Sequence, residues 1–297
     1  MRHSRLLLPA VLAAGALALT GCVNNEVAGP AQPDSTTNVE VDQAAAELLP
    51  EDIAEAGVLE YGTDAAYPPN EFKDADGNPI GWEIELADAV AAKLGLTSNY
   101  NIAKFDNIIP GITGAKYDVG ISSFFDTLER QQQVDMVDYY STGTQWAVRA
   151  GETVDPDNAC GLQVAVQNGT TQALDDLPVR SQACVDAGQP AIEVLGYDTQ
   201  DEATAALTLG RADAMTADSP VIQYAVKQSD GKLELSGDVY SVFLYGMPIQ
   251  KDREGLAEAM QASLQSMMDD GTYTEILEKW GVEAGAIDAI DINGATE

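Results

Sequence analysis

The sequence predicts an α/β fold of two lobes with a cleft between them. Three observations carry that prediction. Strand-like and helix-like segments alternate through the body, the pattern of mostly parallel sheets covered by helices. Two extended stretches, 139–149 and 239–250, bracket a middle region and imply two crossovers between lobes. From about Leu48 to Asp291 the body has roughly 240 residues, enough for two lobes of ordinary size.

In chain order, Met1 to Arg5 is a basic start. Leu6 to Leu19 is an uncharged apolar run, too short at about 1.5 Å per residue for a bilayer core of about 30 Å. It reads as part of a signal peptide. Leu19-Thr20-Gly21-Cys22 behind it resembles a bacterial lipobox, in which the chain is cut before the Cys and the sulfur receives a diacylglyceryl group. Residues 1–21 are thus expected to be removed and Cys22 lipidated, tying the protein to the outer face of the cell membrane. Residues 22–50 are expected to be a flexible linker, because they hold few large apolar residues and show no clear period.

Within the body, Val58–Thr63 reads as a first strand and Phe72–Ile80 as a hairpin turning at Asp76-Gly77. Asp74, Asp76 and Asn78 lack the glycine placement and bidentate Glu of a calcium loop. Ile84, Ala87, Val90, Ala91 and Leu94 recur at helical spacing and stop at Gly95. A short helix over 105–112, a buried strand over 117–121 and a short helix after Asp126 lead into the first extended stretch. In the second half, strands at 162–166, 192–195 and 212–216 alternate with helices from Thr170, at 201–209 and at 219–227. Helices over 253–268 and 272–280 close the body. One lobe is expected over 51–145 and 247–297, the other over 146–246.

Charge and cysteine use narrow the function. Lys and Arg number 15, two of them in the export segment, against 48 Asp and Glu, for a net charge of −33. Nucleic acid is excluded as a general partner, since phosphate binding needs clustered cations. Such acidity serves as a lure for cationic solutes or, the favoured reading, for solubility alone. The single histidine is His3, so the exported chain has none, which removes most acid–base and zinc chemistry. Cys160 and Cys184 are an even pair in an oxidising compartment and are expected to form a disulfide. No metal and no cofactor is expected.

Four places suggest recognition of a small molecule. Gly169-Thr170-Thr171-Gln172 follows a strand and opens a helix, where free N–H groups favour an anion, or where Thr170 serves as a cap. Ser122-Ser123 end a buried strand, and Arg130 beyond them offers a planar fork for a carboxylate, or a solvated charge. Asp218 stands at a strand end and helix start, placed to receive an ammonium or to cap. Tyr67, before Pro68-Pro69, is a rigidly presented aromatic that stacks on a ligand or fills a core gap. Together they describe a receptor for a molecule with both a carboxylate and an ammonium.

These segments, with Gly62–Pro69, Gly81–Ala87, Phe105–Pro110, Tyr117-Asp118, Asp126–Arg130, Gly210–Ala214 and Asp270–Tyr273, follow one another in a familiar order and spacing. From about Val58 to Gly281 the chain resembles the extracellular solute-binding proteins of family 3, the amino-acid receptors of ABC importers. The resemblance implies a periplasmic-binding-protein-like type II fold, two α/β lobes on two hinge strands that close over the ligand. It implies that Arg130 pairs with the α-carboxylate, helped by backbone N–H groups near Ser123 and at Thr171. Asp218 and the Ser122 carbonyl would take the α-ammonium, Tyr67 and Phe105 would flank the side chain, and Asp64 would sit near its far end. Two positions depart from the family pattern: Phe125 replaces a usual Ser or Thr that holds the ammonium, and Asn70 replaces a usual apolar residue. The function implied is that of a lipid-anchored monomer, not an enzyme, that delivers an amino acid, a polar one favoured, to a membrane permease. A receptor for another small carboxylate and a dehydratase-like enzyme on the same fold are the alternatives.

Overall fold

The computed structural model describes residues 39–296; the export segment, Cys22 and most of the expected linker lie outside them. The first described residues differ from expectation. Within the stretch read as linker, Asp42 caps a short helix, α1 (Gln43–Ala46), through its carboxylate, and its own N–H donates to the Lys93 carbonyl at 2.8 Å. Ala45 is buried, and Val39 and Leu49 pack on the same core. A few well-spaced apolar side chains suffice to dock a segment whose average composition reads as flexible.

Helix α2 (Glu51–Ala56) ends at Gly57 in the left-handed conformation and leads into β1 (Val58–Thr63). A hairpin of β2 (Phe72–Lys73) and β3 (Pro79–Ile80), turned around the Asp74 carboxylate, precedes α3 (Trp82–Lys93) and β4 (Thr97–Ile102). Helix α4 (Ile108–Thr113), β5 (Val119–Gly120) and α5 (Leu128–Gln131) follow. The long β6 (Val134–Arg149) then crosses to a second group: β7 (Gln163–Gln167), α6 (Leu177–Asp186), β8 (Glu193–Tyr197), α7 (Gln200–Thr208), β9 (Ala214–Asp218) and α8 (Ser219–Gln228). The equally long β10 (Leu233–Gln250) returns, and α9 (Leu256–Asp270) and α10 (Thr272–Trp280) complete the chain of elements.

The strands order as β4-β1-β5-β10-β6-β9-β7-β8. Parallel groups β4-β1-β5 and β8-β7-β9 are joined through the antiparallel β6–β10 ribbon, whose register slips between Ser236 and Tyr240 and again by Gly246. Both ribbon strands begin earlier than expected, at Val134 and Leu233, because Val134, Met136 and Leu233 are buried beyond the polar residues that hide the pattern. The expected lobe boundaries fall inside these two strands.

Each group has its own core. Around β1 and β5, Leu59, Tyr61, Trp82, Leu86, Met260 and Leu264 are buried together. In the second group, one cluster packs Ala203, Leu207, Val221 and Ile222, and another Trp146, Val164, Val166 and Leu177. Truncating one such Leu to Ala costs about 2–5 kcal/mol. The Cys160–Cys184 disulfide ties the start of β7 to α6, with Cα atoms 5.5 Å apart. Among the described residues, no helix is long and apolar enough to cross a membrane.

Candidate functional site

In parallel α/β sheets, ligands gather at the carboxyl ends of the strands. Here the loops after β1, β5 and β7 and the end of β9 converge, bringing residues of both groups into one hydrogen-bonded set.

Asp218 lies at its centre and is buried. Its carboxylate accepts from Tyr245 Oη at 2.6 Å and Gln172 Nε2 at 2.7 Å, while its N–H donates to Tyr67 Oη at 3.1 Å. Burial pushes the Asp218 carboxyl up to about 6, and Arg130 works in the opposite direction. Its side chain does not cap α8. Tyr67 reaches from the β1 loop into the opposite group and packs among Ala203, Val221 and Ile222. Thr170 caps the turn after β7, with Ala173 N–H donating to its hydroxyl; Thr171 beside it is half-buried and donates to Gln172 at 3.4 Å.

Arg130 donates through Nη1 to the Phe125 carbonyl at 2.8 Å and through Nη2 to the Gly169 carbonyl, across the cleft, at 3.2 Å. Its guanidinium lies 5.6 Å and 5.4 Å from the ring centroids of Phe105 and Phe124, which stack on each other. Burial lowers its pKa to about 10, so it keeps its charge at neutral pH. Gly169 has φ +80°, and a Cβ there would meet Asp106 Cβ at 2.9 Å, so only glycine lets the two groups approach this closely.

The other end is acidic. Asp64 accepts from Gln167 Nε2 across the cleft at 2.7 Å, and its N–H donates to Ser122 Oγ. Burial pushes its carboxyl up to about 6, with Asp201 and Asp106 adding to the effect and Lys73 opposing it. Ser122 Oγ donates in turn to Glu71 at 2.7 Å. Ser123, in the left-handed region at φ 55°, gives its N–H to Glu83 at 3.0 Å and lies within hydrogen-bond distance of both Glu71 and Glu83 through Oγ. Tyr139 Oη donates to Glu83 at 2.7 Å. Both glutamates are buried, which raises both pKa values, and the charge of Glu83 raises Glu71 further.

Phe125 turns its ring away, against Phe243 and Tyr245 at centroid distances of 5.0 and 5.4 Å, and is 2% exposed. The hydroxyl that reaches Asp218 comes instead from Tyr245, on β10. Asn70 bonds Ser123 Oγ, Tyr245 Oη and Trp82 Nε1, wiring the acidic end to the Asp218 end. All nine residues singled out in the sequence therefore belong to one network, or touch it. A surface groove of about 590 Å³ lies elsewhere, along the ribbon between Tyr140, Tyr224, Val242 and Trp280.

Sequence reasoning missed Glu71, Glu83, Gln167, Gln172 and Tyr245 as functional residues. Gln172 stood inside a motif already noted. Glu83 stood inside the Gly81–Ala87 motif, but nothing local marks it or Glu71 as buried.

Comparison with known proteins supports this geometry. The chain is 39% identical over 288 residues, 95% of its own length and 93% of the relative's, to the arginine-binding protein ArgT of Corynebacterium glutamicum. An ancestral arginine-binding protein bound to arginine superposes with a TM-score of 0.70 at 35% identity, covering 75% of this chain and 98% of that one. An ancestral amino acid-binding protein described as a precursor of cyclohexadienyl dehydratase gives 0.67 at 30% identity, covering 77% and 98%. The family model for bacterial extracellular solute-binding proteins, family 3, matches residues 59–283. With a two-lobed α/β fold, a ribbon of two hinge strands and a shared polar cleft, the chain belongs to the bacterial extracellular solute-binding proteins of family 3.

Proposed function

We propose that this solute-binding protein captures a basic amino acid, arginine first, between its lobes and delivers it to an ABC importer while held at the membrane by lipid on Cys22. The observation that carries the choice of ligand is the charge balance of the cleft. Arg130 acts on the buried Asp218 at one end, and three more buried carboxyl groups, Asp64, Glu71 and Glu83, gather at the other. Buried charges are costly unless paired. An amino acid with a cationic side chain supplies one carboxylate for Arg130, an ammonium for Asp218, and a second cation for the Asp64–Glu71 end. A glutamate ligand would instead add a like charge there. The ligand named for the relatives at 39% and 35% identity is arginine, in keeping with this reading.

In this reading Arg130, with N–H groups at Thr171, takes the α-carboxylate, and Asp218 the ammonium. Tyr67 and Phe105 flank the side chain. The Ser122 and Ser123 hydroxyls hold Glu71 in place rather than touching the ligand first. Phe125 acts through its carbonyl on Arg130 and its ring on Tyr245.

Titration calorimetry with arginine, lysine, glutamine and glutamate tests the assignment. Arginine is expected to bind most tightly and glutamate not at all; tighter binding of glutamine than arginine would refute it. A ligand at a hundred times its Kd also stabilises the folded state by about 2.7 kcal/mol, visible in thermal unfolding. The buried Glu71–Glu83 pair and the dehydratase-related neighbour keep a second reading in play, dehydration of a small cyclic acid with a glutamate as proton donor. Recovery of the ligand unchanged after long incubation would exclude it.

A further inference from the structure

Beyond α10 the tail turns back along β6. Asn293 N–H donates to the Met136 carbonyl at 2.7 Å, Met136 N–H to Asn293 Oδ1 at 2.8 Å, and Asp138 N–H to the Asp291 carbonyl at 2.9 Å. The next two amides of the tail are spent on carboxylates: Gly294 N–H donates to Asp138 and Ala295 N–H to Asp126, each at 3.0 Å. Asp126 and Asp138 are both buried. Asp126 also accepts two hydrogen bonds from Gln131 Nε2, at 2.9 and 3.0 Å, and Gln131 donates to the Ala295 carbonyl. Among the described residues, Asp138 Oδ1 has no donor from any other group. Both carboxyls are thus tied to adjacent amides of the tail, and Asp126 raises the pKa of Asp138 beyond what burial does.

Gln131 is the neighbour of Arg130 on α5, and Asp126 follows Phe125, whose carbonyl holds the guanidinium. We propose that the tail segment 291–295 is a positioning element of the binding site: by holding the Asp126–Asp138 carboxyl pair it fixes the loop 125–131, and with it the direction of Arg130. The proposal rests on the reading of Arg130 as the carboxylate-binding group. It assigns a role in recognition to a stretch that touches no part of the cleft.

The buried Asp138 carboxyl makes the hold sensitive to pH. The groups around Asp138 are the carboxylates of Asp126 and Asp291 and the Gly294 amide, with Arg130 beyond Asp126 and the Asp135–Lys251 ion pair farther along β6. Burial first, then Asp126, pushes the Asp138 carboxyl up to about 8. Above that pH Asp138 becomes charged beside the Asp126 carboxylate and the hold weakens.

Gly294→Ala is the direct test, since a Cβ there would collide with the Asp138 carboxylate and displace the tail. Amide exchange over 124–131 and affinities for arginine and for agmatine, which lacks the α-carboxylate, are the readouts. Faster exchange over 124–131 is expected, with arginine about tenfold weaker and agmatine within about twofold of the unmodified protein. Unchanged protection over 124–131 would overturn the proposal. So would equal losses for the two ligands, the mark of a lobe merely loosened. Asp138→Asn, which keeps an acceptor for Gly294 and donates to Asp126 without a titrating proton, covers the case in which Gly294→Ala does not fold. It is expected to bind arginine more tightly than the unmodified protein above pH 8; identical pH profiles would count against the proposal. If the unmodified protein binds neither ligand, the arginine reading fails, and the exchange data alone decide whether the tail holds α5.

Discussion

The two ends of the cleft differ in kind. At one end Arg130 and Asp218 set opposite charges around a helix start, with Gln172, Tyr245 and Tyr67 locking Asp218. At the other, Asp64, Glu71 and Glu83 gather acid upon acid, tempered by hydroxyls, the Ser123 N–H, the Gln167 amide and, more weakly, Lys73. A balanced end suits what all amino acids share. A one-signed end suits what distinguishes a few of them. The proposed function thus puts general recognition and selectivity on different residues, which mutation can break separately.

The largest effect is expected at the balanced end. Arg130→Ala or Asp218→Ala should weaken every amino acid ligand by about 2–5 kcal/mol, roughly thirtyfold or more, because a buried charge is left unpaired. Near-native affinity in either variant would remove that residue from the site. At the acidic end, Glu71→Gln and Asp64→Asn should weaken arginine by about 1.5–3 kcal/mol, the range for a hydrogen bond to a charged group, while sparing glutamine. Parallel losses for both ligands would erase the distinction between the ends.

Acidity sharpens the comparison further. Asp64 and Asp218 both stand at about 6, raised from 3.8 by burial. In the unliganded protein the folded state keeps protons that the unfolded chain releases, so these two groups make stability fall as pH rises from about 4 to 6. A cationic ligand needs both carboxylates ionised, so arginine affinity should rise over that window, by up to about tenfold per unit for each group. Saturating arginine should therefore flatten the downward slope that thermal unfolding shows without it; a ligand gain independent of pH would argue that neither carboxylate meets a cation. The smallest effect is expected at the rim, where Lys104 pairs with Asp198 across the cleft. Both groups are exposed, so Lys104→Ala should change affinity only slightly, and the change should vanish in salt.

Much of the fold was legible because local rules agree with it. The last helix shows this best: Thr272–Trp280 is bracketed by Gly271 and Gly281, both left-handed, and buries Tyr273, Ile276 and Leu277 on one face. The balanced end was legible through residues that end strands or start helices. The acidic end was not. Glu83 sits in the first turn of α3, where an acid is ordinary, and only the approach of Ser123 and Tyr139, 40 and 56 residues away, reveals it as buried. Tyr245 faces Asn70 from 175 residues away, on a ribbon whose slipped register hides which side chains point into the cleft. The docking of residues 39–50 escaped for another reason: composition averages over a segment, whereas Val39, Ala45 and Leu49 act one by one.

That docking has a mechanical consequence. A pull on the chain at Val39 meets the Asp42–Lys93 hydrogen bond and the seat of Ala45 on the first core before it reaches β1. Tension applied at that point is therefore borne by the lobe built around α3 and α9, which also carries the returning tail. The disulfide-tied lobe is joined to that mount along the chain by the β6–β10 ribbon alone, so the load reaches it only through those two strands.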